Sequence, residues 1–168
     1  MKNLFLIAVI VLGFSGVSFG QLAAEATAQS SATVLIPITI ANTAPLSFGS
    51  FARSAGTVTI APNGDRSSSN VNLYNIADVT PGAATFVVSG DDDSSFSILL
   101  PADGIVSLTG TIAGSTLPIT SFLSNPTEGS SSLVGGTKTI NVGATITVAA
   151  NQPIGLYTGE FDVIVNYN

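Results

Sequence analysis

The stretch Gly155-Leu156-Tyr157-Thr158-Gly159-Glu160-Phe161-Asp162-Val163-Ile164-Val165-Asn166-Tyr167 decides the fold class. Its odd positions are glycine, aromatic or β-branched apolar residues. Its even positions, Leu156, Thr158, Glu160, Asp162, Ile164 and Asn166, are much more polar. A period of two turns successive side chains to opposite faces, so Tyr157–Tyr167 is predicted as a strand with one buried and one wet face. Two readings follow from the pattern. The apolar face belongs to an ordinary last strand of a sandwich, or it lines a cleft that another strand must cover.

The same parity argument applies near the other end. Leu22, Ala24, Ala26, Ala28, Ser30, Ala32, Val34, Ile36, Ile38 and Ile40 alternate with mostly polar residues, interrupted by Leu35 and Pro37. That register is as long as two ordinary strands. It reads either as a strand inside the domain preceded by a second, projecting one, or as an Ala-rich leader with no role of its own.

Between these ends the chain shows almost no helical periodicity. Short alternating or β-branched runs predict strands at Thr33–Ile40, Leu46–Phe51, Thr57–Ile60, Val71–Tyr74, Thr85–Ser89, Phe96–Leu100, Ile105–Thr111, Ile119–Leu123, Lys138–Val142 and Ala144–Ala149. Turn residues separate them at Pro62-Asn63-Gly64-Asp65, Thr80-Pro81-Gly82, Gly90-Asp91-Asp92-Asp93, Asn125-Pro126 and Gly135-Gly136. Many short strands at this spacing predict an all-β sandwich. No linker long enough to divide the chain is visible, and no internal repeat.

Residues 1–20 have the build of a cleavable secretory signal. Lys2 is followed by the apolar run Leu4–Leu12, and Ser18-Phe19-Gly20 places small residues at −3 and −1. The run is shorter than the roughly 20 residues of a spanning helix and is followed by Gly13, Ser15 and Gly16. Cleavage before Gln21 removes Lys2 and takes the formal charge from −6 to −7. Arg53, Arg66 and Lys138 are then the only cations, which disfavours nucleic acid and anionic membranes as partners. No membrane insertion is expected of the mature chain. Charged residues make up 8% and hydrophobic residues 45%, which argues against disorder. Absence of cysteine excludes disulfides and a thioether lipid anchor.

Catalysis finds little support. The chain has no His and no Cys, so Ser–His–Asp, Cys–His and His-based metal sites are absent. No glycine-rich loop leads into a helix to hold phosphate. Asp91-Asp92-Asp93 is the one acidic cluster, but consecutive acids on extended chain point in alternating directions, so a hairpin loop is the simpler reading than a calcium site. A sugar platform of aromatic rings is poorly served by Tyr74, Tyr157 and Tyr167 without any Trp. No enzyme activity, metal or cofactor is therefore expected.

The C-terminal stretch GLYTGEFDVIVNYN resembles the end of chaperone–usher pilus subunits. It has a glycine fourteenth from the end (Gly155), alternating apolar residues after it, and a penultimate aromatic (Tyr167). Together with LSFGSF at Leu46–Phe51 it is similar to the archaic, spore-coat-protein-U-like pilins. LSFGSF, GTVTI and VGATITVAANQPIGLYTGEFDVIVNYN also resemble a family of secreted bacterial proteins known only as a domain of unknown function. The cysteine pair of many pilins is missing. The resemblance implies an immunoglobulin-like sandwich that is incomplete and finished by a donor strand from a neighbour. It implies a donor at Leu22, Ala24, Ala26, Ala28, Ala32, Val34 and Ile36. The acceptor groove, which a chaperone also binds, falls on Gly155, Tyr157, Phe161, Val163, Val165 and Tyr167. The organisation expected is a signal at 1–20, an N-terminal extension at 21–32 and a pilin-like domain at 33–168. The implied partners are neighbouring pilin subunits, a periplasmic chaperone and an outer-membrane usher, with the surface fimbrium as destination. The alternative is a free-standing extracellular sandwich that binds a glycan or a surface protein.

Overall fold

The spine of the molecule is one long strand in which Ile140, Val142, Ala144, Ile146 and Val148 are buried at every second position. This computed structural model describes residues 23–77 and 79–168. Residues 1–20 and Leu22 lie outside the described part. Residues 23–33 form neither strand nor helix and belong to a different unit from Val34–Asn168.

The second unit is all-β. In chain order its strands are β1 (Thr39–Ala44), β2 (Ser50–Phe51), β3 (Gly56–Ile60), β4 (Arg66–Ser69), β5 (Leu73–Tyr74), β6 (Ala84–Ser89) and β7 (Ser95–Leu99). They continue with β8 (Ser107–Gly110), β9 (Thr116–Asn125), β10 (Gly129–Ser132), β11 (Thr137–Val148), β12 (Tyr157–Thr158) and β13 (Ile164–Tyr167). An eight-stranded antiparallel sheet runs β1-β6-β11-β9-β8-β12, with β3 also paired to β11 and β4 paired to β3. A three-stranded sheet, β10-β7-β13, forms the facing layer, and β2-β5 is a small separate ribbon. Phe96 and Ile98 of the smaller sheet share one core with Val58, Ile60, Val88 and Ile140 of the larger. Fully burying a side chain such as Phe96 stabilises the fold by about 1.5–3 kcal/mol. The result is a β-sandwich of curled antiparallel sheets.

Three differences from the sequence reading have local physical causes. Lys138–Val142 and Ala144–Ala149 are halves of β11, because Gly143 does not end the strand. It marks the point where the partner on one edge changes, from Val142↔Ala84 in β6 to Ala144↔Ile60 in β3. A Cβ on Gly143 would collide with the Ile60 carbonyl, so the missing side chain lets β3 leave the sheet there. In β9 the buried parity changes from Leu117 and Ile119 to Phe122. Thr145 pairs with Ser121 and Ile146 with Ile119, so Thr120 is an inserted residue that turns the strand over. That bulge hides the strand's period from a sequence reading. Finally, the stretch Tyr157–Tyr167 divides: β12 pairs with β8 in the large sheet, and β13 pairs with β7 in the small one.

At the N-terminal side the strand expected at Thr33–Ile40 is displaced to Thr39–Ala44, and Val34, Leu35 and Ile36 are exposed. The Ser-rich strands β4 and β10 escape a hydrophobic pattern because most of their side chains face solvent. The Pro62–Asp65 turn closes the β3–β4 hairpin through Gly64 N–H to Ala61 O and Ala61 N–H to Asp65 O, both 2.9 Å.

Replacing Gly143 by Val should destabilise the domain by about 1–3 kcal/mol or more, the usual cost of forcing atoms into packed space. Gly82→Ala, where an added Cβ meets open space, is the matched control. Urea unfolding midpoints of the two variants check this; equal midpoints would contradict the tight crossing at Gly143.

Candidate strand-accepting groove

The large sheet curls, and its two ends line one cavity of about 900 Å³. One wall is Pro45–Phe51, the continuation of β1. The other is Gln152–Asp162, which includes β12. Phe86, Val106, Leu108, Leu117, Ile119 and Ile146 form an apolar floor between them. The cavity is thus an opening in the sandwich, walled by backbone and floored by core.

The first wall is shaped by a bulge and a guanidinium. In β1, Asn42 pairs with Phe86 and Ala44 with Thr85, leaving Thr43 as an extra residue that ends the ladder. Beyond it, Ser47 and Gly82 exchange two backbone hydrogen bonds of 2.9 Å. Arg66 then binds the wall from behind. Its Nη1 donates to Phe48 O (3.3 Å) and Ser50 O (3.4 Å), and its Nη2 donates to Tyr74 O (3.1 Å) and Asn75 Oδ1 (2.7 Å). Gly49, at φ +69°, lies so close to Arg66 that a Cβ would strike the guanidinium. The flat fork of Arg suits several oxygens at once, which a lysine cannot match.

The second wall is anchored at its start and open along its middle. Buried Gln152 donates from Nε2 to Thr116 O (2.9 Å) and Tyr157 Oη (2.8 Å), and Tyr157 Oη donates to Pro153 O (2.7 Å). Thr111 N–H bonds Leu156 O at 3.1 Å, which holds the start of the wall on β8. After Thr158 the pairing stops. Gly159, Glu160, Phe161, Asp162 and Val163 have no backbone hydrogen-bond partner among the described residues. From Ile164 the chain pairs with β7, and Asn168 N–H reaches Ser95 O at 3.1 Å. In an antiparallel ladder inward-bonding residues alternate, so the even residues bond β7. The backbone groups of Val163, Val165 and Tyr167 point to the free edge.

The expected acceptor residues occupy defined places along this wall. Tyr157, Phe161, Val163, Val165 and Tyr167 are half-buried against the core. Phe161 meets Phe86 edge-on at 6.1 Å and Phe122 at 5.1 Å between ring centroids. Gly155 has φ +149°, and a Cβ there would meet the Thr111 side chain, so its glycine serves the contact with β8. Tyr167 lies beyond the cavity: Asp91 N–H donates to its hydroxyl (2.6 Å), and the hydroxyl donates to Ile36 O (2.7 Å). This hydrogen bond brings the free edge of β13 beside the segment leading into β1, itself the free edge of the large sheet. Of the expected donor residues, Leu22 lies outside the described part. Ala24, Ala26, Ala28 and Ala32 fall in residues 23–33 and are exposed, as are Val34 and Ile36.

Residues 38–167 match the family described as a domain of unknown function, DUF4402. The chain belongs to this family. No curated protein and no solved structure matches it. The DUF4402 match spans every strand from β1 to β13 and both groove walls, while residues 23–37 lie outside it.

Arg66, Gln152 and the floor residues of β8 and β9 were not singled out by sequence. Arg66 is one of three cations after residue 20, with no motif around it. The acids at Asp91 and Asp92 are engaged in the loop itself: Asp92 Oδ1 accepts from Asp93 N–H (2.9 Å) and Gly136 N–H (3.0 Å), and Asp91 Oδ2 accepts from Ser94 Oγ (3.4 Å).

Arg66→Lys keeps the charge and removes the fork. It should cost about 1–3 kcal/mol, the net worth of a few hydrogen bonds to a charged donor, and loosen the first wall. Faster amide exchange confined to Phe48–Phe51 and Leu73–Tyr74 is the expected signature; uniform exchange rates across the variant would rule it out.

Proposed function

We propose that this protein is a structural subunit of a secreted surface fibre, a pilus or fimbria, that polymerises by strand donation between copies. The observation that carries the reading is the backbone of residues 159–163, without hydrogen-bond partners among the described residues, most of it bordering an apolar groove of about 900 Å³. Unpaired backbone beside an apolar cavity is a template for an added strand, which supplies hydrogen bonds and fills the cavity. In this reading the domain is an immunoglobulin-like sandwich short of one strand, as in the chaperone–usher pilins whose C-terminal pattern the chain shares.

The donor is the N-terminal register of a second copy. Ala24, Ala26, Ala28 and Ala32 share one parity with Val34 and are exposed in the chain that carries them. Since the Ile36 carbonyl is bound to Tyr167 of its own domain, the inserted part ends near Val34. Inserting four alanine methyls at roughly 0.8 kcal/mol each and Val34 at roughly 1.5–3 kcal/mol contributes on the order of 5 kcal/mol before ordering costs. The apolar gain from so many alanines is small, so backbone pairing along 159–163 carries more of the specificity.

An open groove of this kind promotes aggregation in transit. A periplasmic chaperone covering it and an outer-membrane usher receiving the subunit complete the proposal, with residues 1–20 as the export signal. The role needs no catalysis, metal or cofactor, in keeping with a chain devoid of His and Cys.

Deleting residues 21–32 should abolish polymer while the truncated chain still co-purifies with its chaperone, because it keeps the groove and loses only what it donates. Native-gel ladders and electron microscopy of the two proteins decide it. Normal fibres from the truncated chain would eliminate this donor. A full-length chain that stays monomeric would favour a free-standing sandwich.

A further inference from the structure

The residues lining the cavity bring opposite charges to its two sides. Arg53, two residues past β2, is the one cation among them, and Glu160 and Asp162 are the acids of the second wall. All three are exposed. Arg66 is held by four oxygens, whereas Arg53 has no hydrogen-bond or ion-pair partner for its side chain among the described residues. Its backbone is fixed from both sides: Ala52 N–H donates to Asn72 O (2.8 Å), and Ser54 N–H donates to Ala52 O (3.0 Å). An unengaged guanidinium is thus presented at a set place on the groove's rim. From residue 21 up to Arg53 the chain has a single charged residue, Glu25. Glu25 is exposed and stands at odd parity between Ala24 and Ala26. With the even alanines turned to the floor, alternation turns Glu25 out towards the rim.

We propose that Glu25 of one copy pairs with Arg53 of another, and that this pair selects the register in which the extension enters the groove. This rests on the strand-donation reading and adds what chooses among its registers. The alanines choose little: a shift by two residues replaces one small side chain by another and keeps the same face inward. The same shift carries Glu25 along the rim by about 6.6 Å, beyond the roughly 4 Å of an ion pair. Glu160 and Asp162 repel the carboxylate from the opposite side, so the rim attracts Glu25 at Arg53 alone. An exposed pair adds little strength at each junction. Its effect is on specificity, where a matched charge favours one register and a like charge penalises the others.

Charge reversal in the full-length chain tests the pair. Glu25→Arg and Arg53→Glu should each raise the concentration of subunit left unpolymerised beside fibres roughly fivefold, the scale of an exposed ion pair. Sedimentation and assay of the supernatant measure it. An equal mixture of the two variants should return to the wild-type value, because each extension then meets the opposite charge in the other variant's groove. At about 1 M salt, where the Debye length is about 3 Å, the differences should shrink. Asp103→Arg changes the net charge as Glu25→Arg does, at an exposed position outside the cavity, and should have no effect. Single variants that assemble like the wild type, a mixture no better than either alone, or an equal effect of Asp103→Arg overturn the pairing while leaving strand donation standing. A wild-type chain that forms no fibres overturns both.

Discussion

A stretch of backbone left without a partner among the described residues governs this molecule. Residues 159–163 connect a pairing with β8 to a pairing with β7 and bond to neither. Their backbone groups are strong hydrogen-bonding groups, and leaving them permanently dry and unpaired is costly. The large sheet therefore ends in two walls facing each other over its own core. Everything else about the groove follows from how those walls are held apart.

The walls are kept in place by polar contacts and the floor by apolar packing. Arg66 ties Phe48 and Ser50 to Tyr74 and Asn75, so a single side chain on β4 fixes the backbone of both strands of the β2-β5 ribbon. Gln152 and Tyr157 do the same at the start of the opposite wall. Under them, β8 and β9 supply half-buried Leu108 and the core residues Leu117 and Ile119. A preformed groove of this type lets an added strand spend little on reorganising its acceptor. Tyr167 performs the complementary task of fixing where the N-terminal segment leaves the domain.

Membership of DUF4402 covers the strands and both walls but not residues 23–37. That division agrees with the physics of the two parts. The matched span has a buried alternation that depends on its own partners. The segment before it has small side chains at one parity and forms no strand, with only the Ile36 carbonyl bound to Tyr167 near its end.

The all-β class was legible in the sequence because alternation at Thr85–Ser89, Phe96–Leu100 and Tyr157–Tyr167 is a local property of a half-buried strand. The half-buried face at Phe161, Val163, Val165 and Tyr167 was legible for the same reason. Pairing was not. Nothing local says that Gly143 lies where β6 gives way to β3, that Thr120 turns β9 over, or that one alternating stretch serves two sheets. Arg66 and Gln152 were silent because the contacts that set the walls reach 18 and 36 residues away, to Phe48 and Thr116. Sequence by itself determined which residues alternate and hence the strands and their apolar faces. Tertiary structure alone decided which edges remain open, because an edge is defined by the partner that is missing, and hydrogen-bond partners in a sheet are chosen across the fold.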